Sequence, residues 1–380
     1  MRLNPVLAGM QAYPFVRLNE AKRATAARGL DVIDFGVGEP REETPAFIRR
    51  ALTRAVDAEP ISTYPLAEGL PELRGAVAVW LASRFEATLD PDTAIVPTMG
   101  SKEAIFTLAQ IVAGHGDRVA VTTPGYPVPS RGALFAGAEV VDVPLDRDRG
   151  WQPDLEAISW DGVALLWLNY PNNPTAAAAS LELYERAAEL ARAHGFVLAV
   201  DEAYSELWFE GDAPVSALQL ADHTNLIVFN TLSKRSSMPG YRCGFAAGDA
   251  ELVAAMKRYR PNVGLAPQTF IQRAGAAAWA DEEHVVETRE RYRAKRDALL
   301  PALLEAGLRP SGGDASFFLW LRVPDGEDAE VYALRLLDDR GIVVAPGSFF
   351  GPGGEGHVRV ALVPTLAECR RAAQLLSSGS

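Results

Sequence analysis

Two cysteines are all that the 380 residues contain. Cys243 and Cys369 lie far apart and form no CxxC or metal-ligand spacing. That excludes a disulfide framework and points to a reducing cytosol. Positive charge is also short. Lys and Arg number 37 against 49 Asp and Glu, a net charge of −12. Nucleic acid or an anionic membrane surface is therefore a poor candidate for the main partner, although a single pocket can still be basic. No apolar run is long enough to span a bilayer. The opening Met1-Arg-Leu-Asn-Pro-Val lacks the long apolar core of a signal peptide, so a cytoplasmic location is expected. His115, His194, His223, His284 and His357 are scattered with no HExxH, and no metal site is expected. The glutamates beside His284 read as the acidic first turn of a helix. There is no Walker loop and no G-x-S-x-G elbow. Gly351-Pro-Gly-Gly-Glu-Gly356 neither follows a strand nor opens a helix, so it is no dinucleotide fingerprint. No repeat of fixed period and no low-complexity segment occurs.

What is present suits a soluble globular enzyme: 48% hydrophobic and 23% charged residues. The length allows a large core and two domains. From Thr93 to Gly248, short apolar strands alternate with amphipathic helices. Strands so continuously apolar fit a mostly parallel sheet buried on both faces. After Gly248 come helices, then a mixture of strands and helices that reads as a smaller α+β domain. The expected divisions are 1–30, an arm and helix packing with the small domain; 31–270, the large domain; and 271–380, the small one. Gly341 to Ala345 is expected to be one strand.

The most informative stretch is Asn230-Thr-Leu-Ser-Lys-Arg-Ser-Ser-Met-Pro-Gly-Tyr-Arg-Cys-Gly244. It follows the apolar run Leu226-Ile-Val-Phe229, so Lys234 stands at the carboxyl end of a buried strand. Open α/β sheets carry their chemistry there. A partly desolvated lysine amine condenses readily with an aldehyde. Ser233 and Arg242 nearby would suit a phosphate. An aldehyde with a phosphate suggests pyridoxal phosphate; a solvated Ser-Lys-Arg loop would look the same.

Other stretches carry similar double readings. Gly100-Ser101-Lys102 opens a helix, where free N–H groups and the dipole attract phosphate. Tyr126, among prolines after a strand, could stack on a flat ring. Asn173 sits in a strong turn sequence and could bond a phenolate oxygen. Asp201 follows a buried strand. It could be a helix cap, or it could pair with a pyridinium N–H and make that ring an electron sink. Tyr204, three residues on, could reach the same ring. Gly36 and Gly38 permit close backbone approach to a ligand. Tyr64 lies on a loop. Arg359 alternates with Val358 and Val360 and points either to solvent or into a cleft, where it would clamp a carboxylate.

Taken in order, Gly38, Tyr64, Gly100-Ser-Lys102, Tyr126, Asn173-Pro-Thr, Asp201-x-x-Tyr204, Ser233-Lys234, Arg242 and Arg359 resemble the class I/II aminotransferases, which are aspartate-aminotransferase-like pyridoxal-phosphate enzymes of fold type I. The resemblance spans nearly the whole chain. It implies a large domain with a mostly parallel seven-stranded sheet and a smaller α+β domain. It implies that Lys234 holds pyridoxal 5′-phosphate as a Schiff base and shuttles the substrate proton. Asp201 would face the pyridine nitrogen, Asn173 and Tyr204 the ring's 3-oxygen, and Tyr126 the ring face. Gly100, Ser101, Lys102, Ser233 and Arg242 would surround the phosphate. Arg359, with Gly38 and Asn173 nearby, would bind the substrate carboxylate. Tyr64 would reach in from the second subunit of a homodimer. Where the family usually has glycine after Asn-Pro-Thr, this chain has Ala176, and a small backbone shift is expected there. Tyr13-Pro-Phe-Val-Arg-Leu18, Ala315-Ser-Phe-Phe-Leu-Trp320 and Pro346-Gly-Ser-Phe-Phe350 further resemble bacterial N-succinyldiaminopimelate aminotransferases of lysine biosynthesis. Aspartate aminotransferases and pyridoxal-phosphate carbon–sulfur lyases share the scaffold. Arg17, Arg41 and Arg235 are candidates for the substrate's distal carboxylate.

Overall fold

The structure, a computed structural model, describes all residues except 2, 11–14, 62 and 378–380, together with the side chains of 15–17. The chain begins with helices α1 (Pro5–Gly9) and α2 (Phe15–Ala27), the short strand β1 (Ile33–Asp34), and helices α3 (Ala46–Ala58) and α4 (Pro71–Phe85). The alternating region follows: β2 (Ile95–Thr98), α5 (Ser101–Val112), β3 (Arg118–Thr123), α6 (Val128–Ala136), β4 (Glu139–Asp146), β5 (Gln152–Pro153), β6 (Val163–Asn169), α7 (Leu181–His194), β7 (Val197–Asp201), β8 (Leu226–Thr231), the single turn α8 (Leu232–Arg235) and β9 (Gly244–Gly248). The rest is α9 (Ala250–Tyr259), α10 (Thr269–Trp279), α11 (Glu283–Glu305), β10 (Arg309–Pro310), β11 (Phe318–Arg322), α12 (Ala329–Arg340), β12 (Ile342–Val343), β13 (Ala345–Pro346), β14 (His357–Ala361) and α13 (Leu366–Ser377).

Among the described residues the large sheet has the order β2-β9-β8-β7-β6-β3-β4-β5. Strand β9 runs antiparallel to both neighbours, and the pairs from β8 through β4 are parallel. The eighth strand, β5, is a two-residue antiparallel addition at the edge. Without it the sheet is the expected seven.

Alternate residues of each strand feed opposite cores, as a two-residue period requires. Leu166, Leu168, Leu198, Val200 and Val228 join one core with α4, α7 and α10. Leu165, Trp167, Val197, Ala199 and Ile227 join the other with α5, α6 and α9. With both faces covered, the strand ends are where side chains meet a cleft. The helices stop and start on recognisable chemistry. Ser180 Oγ accepts from the Leu183 N–H (3.3 Å), and Gly195 ends α7 with φ 74°.

The smaller sheet, β10-β11-β14-β13, is antiparallel. Its core takes Tyr292, Leu299 and Leu303 from α11, Tyr332 and Leu336 from α12, and Cys369 and Leu376 from α13. The expected strand 341–345 divides in two. Ile342–Val343 pairs with β1, whereas Ala345–Pro346 pairs with β14. Arg28, just past the end of α2, pairs with Asp338 of α12 (2.7 Å). Ile271, Ala274, Ala278 and Trp279 of α10 belong to the large-sheet core. Tyr292, Leu299 and Leu303 of the next helix, α11, go to the small-sheet core instead.

Candidate active site

A cavity of about 490 Å³ opens at the carboxyl ends of β3, β6, β7 and β8. Each of these strands delivers a residue there because its apolar run ends as the sheet does: Tyr126 after β3, Asn173 after β6, Asp201 closing β7, and Lys234 after β8. Asp201 is thus the last residue of a strand and not a helix cap.

Lys234 sits on the one-turn helix α8, with Nζ 2.7 Å from the Gly38 carbonyl oxygen, to which it donates. Burial holds its pKa down at about 8; the Arg359 and Arg242 cations push the same way, against Glu39 and Asp201. An amine so tuned is still mostly protonated near neutral pH but keeps a far larger neutral, nucleophilic fraction than an ordinary lysine. Across the cavity Asp201 is pushed up to about 7 by burial, opposed by the Ala203 N–H at 3.1 Å and by the Lys234 charge. A carboxyl in that condition favours a cationic partner. Tyr204 packs edge-on against Phe317 and Phe318, and burial raises its phenol far above its usual range.

A second cation lies at the other side. Arg359 is only 4% exposed, so the solvent-facing alternative is excluded. Its Nη1 donates to Asn173 Oδ1 (2.6 Å) and its Nη2 to the Gly36 carbonyl (2.8 Å). Phe318 and Phe350 flank the guanidinium at 4.3 and 4.6 Å. Its neighbours Val358 and Val360 go to the small core, as the alternation requires.

The third feature is a helix terminus. Helix α5 begins at Ser101 behind Gly100, whose φ is 68°. Arg242 donates to the Met99 carbonyl (3.0 Å) and to the Pro239 carbonyl (2.8 Å), which lays its guanidinium against that terminus. A Cβ at Gly100 would come within 2.6 Å of Arg242 Nη2, so only glycine allows the approach. Ser233 Oγ, 2.9 Å from Thr231 Oγ1, faces the same corner. Lys102 joins it, its pKa lowered by burial and then by Arg242 and Arg131.

Of the residues singled out in the sequence, Tyr64 stands apart from this cavity, 99% exposed. Two of the distal-carboxylate candidates do not line this cavity. Arg235 points away from the cavity, stacked on Trp80 and Trp279 and paired with Glu282. Arg41 faces Asp34 at 3.8 Å. The Arg17 side chain and Tyr13 lie outside the described residues. The expectation at Ala176 is corrected. The expected shift away from the glycine conformation does not occur, and its φ is 59°. The sequence reading missed Arg131, Asn169, Phe318 and Phe350 as cavity residues. Asn169 had a signal, as the residue ending an apolar run; Arg131, inside a helix, had none.

Residues 30–376 match the family model described as aminotransferase class I and II. A protein of Dehalococcoides mccartyi described as LL-diaminopimelate aminotransferase is 37% identical over 95% of each chain. The crystal structure of an aminotransferase from Neisseria meningitidis superposes with a TM-score of 0.91 at 37% identity, covering 99% of both chains. A structure from Thermus thermophilus described as a probable N-succinyldiaminopimelate aminotransferase reaches 0.88 at 32% identity, covering 95% of this chain and 98% of that one. The fold is that of the fold type I pyridoxal-phosphate enzymes. More narrowly, the chain belongs to the class I and II aminotransferase family.

Proposed function

We propose that this aminotransferase moves the amino group of a diaminopimelate-type acid to 2-oxoglutarate, using Lys234 as its reacting amine. The observation that carries the reading is convergence. Lys234, Asp201, Asn173, Arg242 and Arg359 come from four separate stretches of chain and line one cavity. The names of the relatives support the diaminopimelate class, in its free LL form rather than the N-succinyl form expected from sequence.

The cavity fits pyridoxal phosphate in its donor chemistry. The α5 terminus, Ser233 and Arg242 would hold a phosphate, through the helix dipole and charge-assisted hydrogen bonds. Asp201 would stand against the pyridine nitrogen, Tyr126 against the ring face, and Asn173 and Tyr204 against the 3-oxygen. When bound, the coenzyme supplies an aldehyde that captures amines and a ring that accepts the electrons left by a departing α-proton. Lys234 then has two tasks. Its amine would hold the coenzyme between turnovers and, once released, would serve as the base that takes the proton from the substrate α-carbon and as the acid that gives it back. Arg359 fixes the α-carboxylate, so the α-proton is presented to that amine. The resemblance also supports a homodimer in which Tyr64 serves the neighbouring site.

The test uses coenzyme-loaded enzyme with 2-oxoglutarate and, in turn, LL-diaminopimelate, its N-succinyl derivative and aspartate. Glutamate formation is followed. LL-diaminopimelate is expected to give the highest kcat/KM. Faster turnover of the succinylated acid would restore the narrower expectation, and faster turnover of aspartate would refute the diaminopimelate reading altogether.

A further inference from the structure

The turn carrying Lys234 is anchored at both ends. At its start Thr231 Oγ1 accepts from the Ser233 N–H (3.2 Å). At its end the Ser236 N–H donates to the Leu232 carbonyl (3.1 Å), and the Ser236 side chain leaves the turn altogether. Ser236 Oγ lies 2.8 Å from His284 Nε2, and His284 Nδ1 lies 2.5 Å from Asp281 Oδ1. An ionised carboxylate only accepts, so Nδ1 carries a proton; burial lowers the His284 pKa and favours the neutral ring, in which Nε2 accepts from the serine hydroxyl. The ring is packed edge-on against Phe47 of α3.

Ser, His and Asp in this order are also the parts of a nucleophilic triad. Here that chemistry has no room, because Ser236 is completely buried and no substrate reaches its oxygen. What is left is mechanical. The three residues join the lysine turn to the first turn of α11. Neighbouring contacts act alongside: Arg235 pairs with Glu282 at 2.5 Å, and Thr44 Oγ1 donates to the Ser237 carbonyl at 2.6 Å.

We infer that His284 is a positioning residue for the coenzyme end of the cavity, acting through Ser236 to hold Ser233 and Lys234 in place. The inference rests on the reading of Lys234 as the coenzyme's point of attachment. A helix of a single turn has few internal hydrogen bonds to define it, so its side chains are aimed by what grips the turn from outside.

Two substitutions separate the two bonds of His284. In His284→Gln the side-chain oxygen can fall near the place of Nε2 and accept from Ser236. In His284→Asn the amide falls near the place of Nδ1 and can donate to Asp281, but it leaves Ser236 unpaired. Full-length apoenzymes are titrated with pyridoxal phosphate, following tryptophan fluorescence and coenzyme absorbance, and their urea midpoints are measured. His284→Asn and Ser236→Ala are expected to weaken coenzyme binding about three- to tenfold, and His284→Gln by less than about twofold. If His284→Asn binds normally while His284→Gln is impaired, or if all three bind normally, the inference is overturned and His284 is merely a brace for α11. Wild-type protein that binds no coenzyme through Lys234 would instead overturn the reading of the cavity, and this inference with it.

Discussion

Asp201 is held in a place where an isolated aspartate would give up its charge. Burial moves its pKa from 3.8 to about 7, and burial moves the adjacent Glu202 to about 8. Between pH 3.8 and 7 the folded apoenzyme therefore keeps a proton at Asp201 that the unfolded chain has lost. Its contribution to stability is complete below that window and falls as pH rises through it. Lys234 works in the opposite sense. Its pKa is depressed from 10.5 to about 8, so stability is regained as pH rises between those values. Asp201→Asn removes the first effect. The variant apoenzyme should lose part of the decline between pH 5 and 8 and be more stable at pH 8 by on the order of 2 kcal/mol. It should bind pyridoxal phosphate less well, since the ring nitrogen loses its counter-charge. Urea midpoints at pH 5 and pH 8 check this; a pH slope identical to wild type would show that Asp201 is not the buried acid. Residues such as Asp201 and Lys234 were legible because each ends a run of apolar residues, and a parallel sheet can only present chemistry where its strands stop. Arg131 and Phe318 carry no such mark. They reach the cavity through the way a helix and a second sheet are stacked on the first, which no local pattern encodes.

The loop after β6 shows how far an element can be held in a conformation its sequence resists. Ala176 keeps a φ of 59° and is fully buried. Its N–H donates to the Asn172 carbonyl (2.9 Å), its carbonyl accepts from the Ala315 N–H (3.1 Å), and the preceding Thr175 carbonyl accepts from the Gly313 N–H (2.9 Å). Turning the backbone to a negative φ would break this set, so the left-handed conformation persists at a cost of roughly 1–2 kcal/mol. Ala176→Gly relieves that cost. It also frees the unfolded chain, worth about 0.4–1 kcal/mol, and removes a buried methyl, worth about 0.8 kcal/mol. The opposing effects nearly cancel, so the variant should differ from wild type by less than about 1 kcal/mol in urea unfolding. A gain well beyond that would mean the strain is larger than the hydrogen bonds imply. The expectation of a shifted loop went wrong because propensity was weighed without the tertiary bonds. The same omission joined 341–345 into one strand. Two partners, β1 and β14, claim its two halves, and sequence period cannot report partners.

At the scale of the molecule, a single chain leaves one of the family's expected residues unused. Tyr64 is almost wholly exposed, and Ile61 and Leu66 beside it are 79% and 67% exposed. Apolar side chains grouped in this way on one loop are suited to a protein interface. In a two-fold homodimer the loop of each subunit would meet the other's cavity, and both sites would be composite. Mixing two defective chains tests this directly. Tyr64→Ala leaves Lys234 intact, and Lys234→Ala leaves Tyr64 intact. Each homodimer alone should be impaired, and Lys234→Ala should be inactive. After co-refolding, half of the dimers should be hybrids, and each hybrid should have one site with both residues in place. Random assortment then limits recovered activity to roughly a quarter of wild type, above what the Tyr64→Ala homodimers alone provide. Sedimentation must confirm that the mixture is dimeric. A dimeric mixture with no recovery beyond the Tyr64→Ala background would mean that Tyr64 serves its own chain or no site. A monomeric wild-type protein with full activity would remove the shared site altogether, and the exposed loop would then need another occupant.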